Sequence, residues 1–156
     1  MPETLPPHDV FGYTTFCDDI RQEVGGKYSY IGVYGGMMFV QGDFPVILAK
    51  LCLAITFAQR RELLIPNVGV HIFGPGQTDA DTPIVQAAFQ EAEVGAVAKE
   101  TAADIPPADI SYVAMHAKMI LSPFNIAQPG DLRVRVLREG KYVRVGALRI
   151  FQAPKD

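Results

Sequence analysis

Residues 16–34 read FCDDIRQEVGGKYSYIGVY, and this stretch predicts how the chain is organised. Residues 11–17, which lead into it, are mostly aromatic and β-branched, a composition that favours a half-buried strand. A polar connection is expected over residues 18–23, and Gly25-Gly26 fits a tight turn because glycine adopts positive φ at little steric cost. A second strand is predicted over residues 28–34. The result is a hairpin with a cysteine, two acids and an arginine where its first strand leaves the core.

The clearest strand of the chain is residues 51–57, with the sequence LCLAITF. Its larger apolar residues alternate with smaller ones, which predicts a central strand whose two faces are both covered. Similar patterns occur at residues 37–40, 68–72, 113–121 and in a terminal hairpin over residues 132–150. These segments give about eight strands, and the sequence therefore predicts a mainly β chain folded as an immunoglobulin-like β-sandwich.

Residues 77–108 allow two interpretations. Thr82-Pro83 is typical of a helix N-cap followed by proline in the first turn, and residues 86–93 have high helix propensity. The alternation of Val85, Ala87 and Phe89 also fits an edge strand. The preferred prediction is a short helix near residues 83–93.

Length and composition favour one domain without a membrane helix. The chain has 156 residues, 49% of them apolar, enough to bury roughly 70% of the unfolded surface. No apolar run approaches the roughly 18 residues of a membrane helix, and the first residues lack the basic start and apolar stretch of a secretory signal. We expect an extended, proline-rich arm over residues 1–10 and a single β-sandwich domain over residues 11–153. Cys17 and Cys52 are expected to be reduced thiols in a cytoplasmic protein, or in a virion if the chain is of phage origin.

Charge is divided unevenly along the chain. Residues 131–156 hold seven basic and three acidic residues, a net +4, whereas the rest hold seven basic and fourteen acidic residues, a net −7. This asymmetry favours self-association or an acidic partner.

The basic residues of the terminal hairpin form what we call the basic ribbon: Arg133, Arg135, Arg138, Lys141, Arg144 and Arg149. Nucleic acid would neutralise such a ribbon, but few aromatic residues interleave with it, so a nucleic-acid partner is disfavoured. The plain alternative is a solvated hairpin face whose charges discourage edge-to-edge aggregation. The preferred prediction is a surface for a protein partner or for a second copy of the chain.

Cys17 is a candidate nucleophile if His71 or His116 approaches it and lowers its pKa. Neither histidine lies in a recognisable protease or transferase motif. The more common role of such a cysteine is a small buried hydrophobic residue at the end of a strand.

Asp18 and Asp19, with Glu23 or the Asp79 and Asp81 pair, offer oxygen ligands of the kind that Ca²⁺ prefers. No complete ligand loop is present, and adjacent strand residues point to opposite faces. One of the two acids is expected to cap a turn, and the other to pair with Arg21 or with a basic strand. The sequence therefore predicts no metal and no other cofactor.

Two resemblances accompany these patterns. Residues 123–150 look like the closing strands of immunoglobulin-like domains, because a Pro-Gly corner opens a strand of alternating apolar and basic residues and Glu139-Gly140 turns it back. A second resemblance rests on Phe16-Cys17-Asp18-Asp19-Ile20-Arg21, the Gly26-Lys27 turn, residues 31–34 and Leu51-Cys52. These residues resemble a family of small bacterial and phage proteins described only as a domain of unknown function. This resemblance is clearest over residues 16–57 and implies a prokaryotic or phage origin, without supplying an activity or a catalytic residue.

Together these observations predict a non-enzymatic interaction or structural subunit that acts through protein contacts and has no membrane partner. The expected binding residues are Asp18, Asp19, Arg21, Arg133, Arg135 and Arg144. Two alternatives remain open: a hydrolase-like enzyme that uses Cys17 with an acid and a histidine, and a metal-dependent binding module.

Overall fold

The computed structural model describes residues 2–4, 6–89 and 112–155, and the regular secondary structure of this part of the chain is almost entirely β. Its strands are β1 (Val10–Gln22), β2 (Tyr28–Val33), β3 (Met37–Val40), β4 (Val46–Leu48), β5 (Leu51–Arg60), β6 (Val68–Phe73), β7 (Val85–Ala88), β8 (Tyr112–Leu121), β9 (Phe124–Ile126), β10 (Gly130–Arg138) and β11 (Lys141–Gln152). One 3-10 turn, Arg61–Leu63, follows β5. None of the described residues forms a helix long and apolar enough to cross a membrane.

Two sheets contain most of the strands. The four-stranded sheet has the order β2-β1-β5-β8 and is antiparallel throughout. The five-stranded sheet has the order β3-β11-β10-β6-β7, in which only β3 and β11 run parallel. β4 and β9 form a separate two-stranded ribbon. The predicted mainly β fold is confirmed, and the two sheets form a β-sandwich, whereas the immunoglobulin-like kinship stays a prediction.

The core lies between the two sheets and is built from alternating positions of their central strands. Leu51, Leu53, Ile55 and Phe57 of β5 are each at most 1% exposed. They share one cluster with the buried residues of the terminal hairpin: Leu132, Val134, Val136, Leu148 and Ile150. The prediction that β5 is central is confirmed, since it lies between β1 and β8.

A β-bulge brings the terminal hairpin into contact with β1. Val134 lies opposite Gly146 and Arg135 opposite Arg144, so Val145 is the extra residue of β11. Val145 is buried, and its carbonyl accepts a 2.9 Å hydrogen bond from the Thr14 hydroxyl. The bulge thus links the two sheets directly.

Two predictions of local structure are wrong. Residues 18–22, expected as a polar connection, continue β1, and the opposing strand β2 pairs Ile31 with Asp19. Val85–Ala88, inside the predicted helix of residues 83–93, form β7 and pair with β6. Pairing with a neighbouring strand outweighs helix propensity there, and residues 90–93 lie outside the described part of the chain. The predicted turn is confirmed, since Gly25 and Gly26 have φ values of 82° and 74°.

Candidate functional site

The end of the first hairpin folds over the outer face of the four-stranded sheet, the face turned away from the core. In the sheet order, β1 and β5 separate β2 from β8, which in a flat sheet corresponds to about 14 Å. Yet the Lys118 ammonium on β8 lies 3.0 Å from the centre of the Tyr28 ring on β2. The hairpin must therefore curl back across the sheet.

A cleft of about 310 Å³ lies beneath this curled hairpin. It is lined by Gly26, Tyr28, Tyr30, Ala54, Ile55, Thr56, His116, Ala117 and Lys118. The outer face of the sheet forms the floor of the cleft. Its residues lie in rows across the strands, such as Tyr13, Thr56 and His116 on β1, β5 and β8. The tyrosines of β2 form its overhanging wall.

The polar groups of the cleft favour an anionic ligand. Lys118 has a cation–π contact with Tyr28, but within the described ranges no carboxylate forms an ion pair with it. The Thr56 hydroxyl lies 3.1 Å from Nδ1 of His116 and fixes the position of that ring. The residues that line the cleft include no Asp or Glu. A carboxylate that entered the cleft would therefore meet a cation without an acidic competitor.

Exposed aromatic and apolar side chains surround the cleft. Tyr28 and Tyr30 are 42% and 43% exposed, and Tyr13, beside the cleft on β1, is 57% exposed. Phe11 lies two residues before Tyr13 and contacts the Tyr112 ring edge-to-face, with ring centres 5.2 Å apart. Ile120 continues the same face of β8 beyond Lys118 and is 61% exposed. The apolar surface is thus larger than the cleft itself.

The predicted residues Asp18, Asp19 and Arg21 hold the hairpin in place. Asp19 accepts hydrogen bonds from Lys50 at 2.6 Å and from Arg21 at 3.2 Å, and these bonds lower the pKa of Asp19. Asp18 accepts a 2.6 Å bond from the Tyr34 hydroxyl. Burial and this bond raise the pKa of Tyr34 to about 12. The two acids therefore have different partners and do not converge on one site.

The structure does not bring a histidine to Cys17. Cys17 is fully buried and lies between Cys52 on β5 and Val33 on β2. His116 lies opposite Thr56 on β8, and His71 accepts or donates a 2.8 Å bond with Tyr142 in the other sheet. Burial and the neighbouring Cys52 raise the pKa of Cys17, opposite to the shift that a catalytic thiolate needs. Across the described residues, no group of three or more His, Cys, Asp or Glu could hold a metal ion.

Most of the basic ribbon is paired within the fold. Arg133 and Arg135 both contact the Asp79 carboxylate. Arg149 donates two hydrogen bonds to the Asp131 carboxylate, at 2.8 and 3.0 Å. Arg138 donates to Gln59, Leu63 and Glu139. Arg144 is exposed and has no ion pair with any described residue, so it is the predicted residue of this ribbon that is best placed to meet a partner.

Sequence reasoning missed the cleft. The alternation in residues 113–121 does place His116 and Lys118 on the solvent face of β8. This assignment is confirmed, since both are exposed whereas Val113 and Met115 on the other face are buried. That alternation does not predict that β2 lies over β8. A local signal was present in Gly32, whose φ of 66° lies in the left-handed region, but a single glycine does not specify the direction in which a strand turns.

No protein-family model matches this chain, and no curated protein or solved structure matches it either. The geometry of the cleft and of its rim therefore carries the argument for function.

Proposed function

We propose that this chain is a non-enzymatic interaction module, an accessory or structural subunit that binds an extended acidic segment of a partner protein at the cleft. The observation that carries this proposal is Lys118, a cation without an acidic partner among the described residues, in a cleft whose lining contains no carboxylate. A glutamate or aspartate of the partner pairs with Lys118 and accepts a hydrogen bond from His116.

The exposed rim favours a protein over a small molecule as the ligand. A volume of about 310 Å³ is at the lower end for small-molecule pockets. Phe11, Tyr13 and Ile120, however, extend the apolar surface along the sheet on either side. Aromatic residues with exposed polar tips are enriched in protein–protein interfaces. A segment of several residues covers this surface, whereas a ligand confined to the cleft leaves it in water.

The side chains of the cleft support binding more than catalysis. Thr56 and His116 have the contact of a nucleophile and a base, but none of the described acids hydrogen-bonds to His116 to orient it, as a catalytic triad requires. Cys17, the nucleophile of the hydrolase alternative, is fully buried beside Cys52. The favoured function is therefore recognition without chemistry.

A peptide display library tests the proposal directly, because it does not require the partner to be identified. Random peptides are selected on the wild-type chain, and the frequency of each amino acid at each position of the bound peptides is measured. We expect enrichment of Asp or Glu next to apolar residues. Binding of the selected peptides should weaken as salt is added, because the contact with Lys118 is solvent-exposed.

Three variants decide whether the cleft is the binding site. Lys118→Ala and Tyr30→Ala should each weaken binding of the selected peptides about tenfold, equivalent to loss of one charge-assisted contact or one aromatic anchor. Lys141→Ala removes an exposed lysine from the other sheet and should leave affinity unchanged. Peptides without acidic residues, or equal affinity for Lys118→Ala and the wild type, would overturn the proposal.

A further inference from the structure

Cys17 and Cys52 are direct neighbours across two antiparallel strands. They are register partners in the β1–β5 pair, both thiols are free, and both residues are 0% exposed. Their side chains lie on the outer face, opposite to Phe16 and Leu53 of the core. The burial of two cysteines on an outer face follows from the curled hairpin that covers them.

Backbone hydrogen bonds define the geometry of this pair. The Arg60 N–H donates to the Asp9 carbonyl at 2.9 Å, and the Tyr34 N–H donates to the Phe16 carbonyl at 2.8 Å. Because bonding alternates along a strand, Phe16 bonds to β2 and Cys17 bonds to β5. Cys17 and Cys52 are therefore a hydrogen-bonded pair, for which the Cα atoms are about 5.5 Å apart.

The Cα separation of this pair matches that of a disulfide, whereas its Cβ separation is wider. Disulfide-linked Cα atoms are usually about 4.4–6.8 Å apart. The Cβ atoms of opposed residues lie about 4.5–5.5 Å apart, whereas a disulfide requires about 3.5–4.5 Å. A hydrogen-bonded pair lies at the wide end of that range, so bond formation needs an approach of about 1–2 Å between the Cβ atoms. The bond is therefore under strain and easier to reduce than a relaxed structural disulfide.

We propose that Cys17 and Cys52 are a reversible modification site that forms an intrachain disulfide by exchange with a low-molecular-weight disulfide such as oxidised glutathione. This inference does not depend on the proposed function. One protein thiolate attacks a sulfur of oxidised glutathione, which forms a mixed disulfide and releases one glutathione thiolate. The second protein thiolate attacks the protein sulfur of that mixed disulfide and releases the other glutathione. Two electrons pass to glutathione, and the two protein thiol protons end on its two thiols.

The hairpin controls access to this site. The Cys52 thiol donates to the carbonyl of Asp18 at 3.7 Å, so the neck of the hairpin lies against it. Burial raises the pKa of both thiols, which keeps them protonated and slow to react at neutral pH. Exchange in the folded state therefore requires local opening of the hairpin, and the disulfide, once formed, replaces the contact of Cys52 with Asp18.

The test measures whether the fold favours the bond, independently of reagent access. The full-length chain is unfolded in denaturant in a buffer of reduced and oxidised glutathione. One half is held in denaturant and the other is refolded by dilution into the same redox buffer. Free thiols are then alkylated, and the intact mass and peptide map give the ratio of intrachain disulfide to dithiol. We expect this ratio to be at least tenfold higher after refolding, with loss of two hydrogens, a Cys17–Cys52 peptide and an unchanged circular dichroism spectrum.

The single variants Cys17→Ser and Cys52→Ser are the matched controls, since neither can form an intrachain disulfide. Excess reduced glutathione should restore the dithiol mass of the refolded wild type. A ratio no higher after refolding than in denaturant would overturn the proposal. So would a refolded product that carries glutathione on one cysteine in place of the intrachain bond.

Discussion

At the scale of single residues, one carboxylate organises the outer face of the five-stranded sheet. Asp79 contacts Arg133, and its other oxygen lies 3.4 Å from Nε of Arg135. The Arg135 side chain is only 8% exposed, so loss of its partner leaves a cation with little access to water. Partial burial acts to raise the pKa of Asp79, but Arg135 and Arg133 outweigh that effect and lower it.

Asp79→Asn should reduce the free energy of unfolding by about 1–3 kcal/mol near pH 7. Because the folded-state pKa is lowered, the stabilisation is fully present above the ordinary value of 3.8 and is lost as the pH falls below it. Urea denaturation near pH 7 and near pH 3 measures both states. Glu62→Gln changes an exposed acid and serves as the control, with an effect within about 0.5 kcal/mol. An equal difference between wild type and Asp79→Asn at both pH values would contradict this explanation.

The sequence predicted which face Arg133 and Arg135 occupy but not their partner. Their alternation with Leu132, Val134 and Val136 places them opposite the core. Asp79 lies in a loop more than fifty residues earlier in the chain. A pattern of charges does not encode where a distant loop lies, so the pairing of Arg133 and Arg135 with Asp79 could not be predicted.

At the scale of elements, β5 is the strand on which both neighbours in its sheet depend. Leu53→Ala should lower the free energy of unfolding by about 2–5 kcal/mol, because Leu53 is fully buried in the core cluster. Ile47→Ala is the matched control, since Ile47 is 69% exposed and its change should cost less than about 0.5 kcal/mol. Chemical denaturation compares the two. Equal midpoints for Leu53→Ala and the wild type would remove β5 from the core.

The curl of the first hairpin depends on Gly32. Its φ of 66° is unfavourable for other residues, and a Cβ at this position would collide with the Asp18 carboxylate. Gly32→Ala should destabilise the hairpin by about 1–2 kcal/mol from backbone strain alone, and the collision displaces the carboxylate that accepts from Tyr34. The buried thiols beneath should then react faster with an aromatic disulfide reagent, as followed by absorbance. Gly35→Ala is the control, because Gly35 has open space around it, and its thiols should react at the wild-type rate. Equal thiol reaction rates for Gly32→Ala, Gly35→Ala and the wild type would show that Gly32 does not control the curl.

The strands that sequence reasoning found are those long enough to show a pattern. β5 and β8 each span ten residues, which is long enough for the alternation of their side chains to be recognised in the sequence. β4 and β9 have three residues each, too few for a period of two to stand out. The second half of β1 was missed for a different reason. Asp18, Asp19 and Arg21 argue against a strand by composition, but the curled hairpin leaves them near water, where a strand tolerates charge.

At the scale of the whole molecule, much of the positive charge of the basic ribbon is paired within the chain. Four arginines of the basic ribbon are paired with acids of the same chain: Arg133, Arg135, Arg138 and Arg149. Reversal of charge at Arg133 or Arg135 should therefore disturb folding before it disturbs any contact between copies. The proline-rich arm is exposed where the structure describes it, up to Asp9, whose carbonyl accepts from Arg60.

Self-association of the chain therefore remains a hypothesis with two separate tests. Arg144→Glu should weaken assembly mainly at low salt, because the contact of an exposed charge is screened as salt increases. Removal of residues 1–7, which leaves the Asp9–Arg60 bond intact, should weaken it at every salt concentration. Light scattering across a salt series measures both, with Lys27→Glu as the control, since Lys27 is exposed and lies outside the basic ribbon. A wild-type chain that is monomeric at every salt and at high concentration would end the hypothesis.

The parallel pairing of β3 with β11 has a consequence for the time course of synthesis. Met37 pairs with Arg149, so about 110 residues must be added to the growing chain after β3 before its neighbour exists. At translation rates of about 5–20 residues per second, this takes about 6–20 s. Throughout that interval Met37–Val40 lacks the strand that pairs with its backbone edge. A nascent chain of this protein therefore has an unpaired strand edge for several seconds. During this time a chaperone that binds nascent chains would prevent that edge from pairing with another chain.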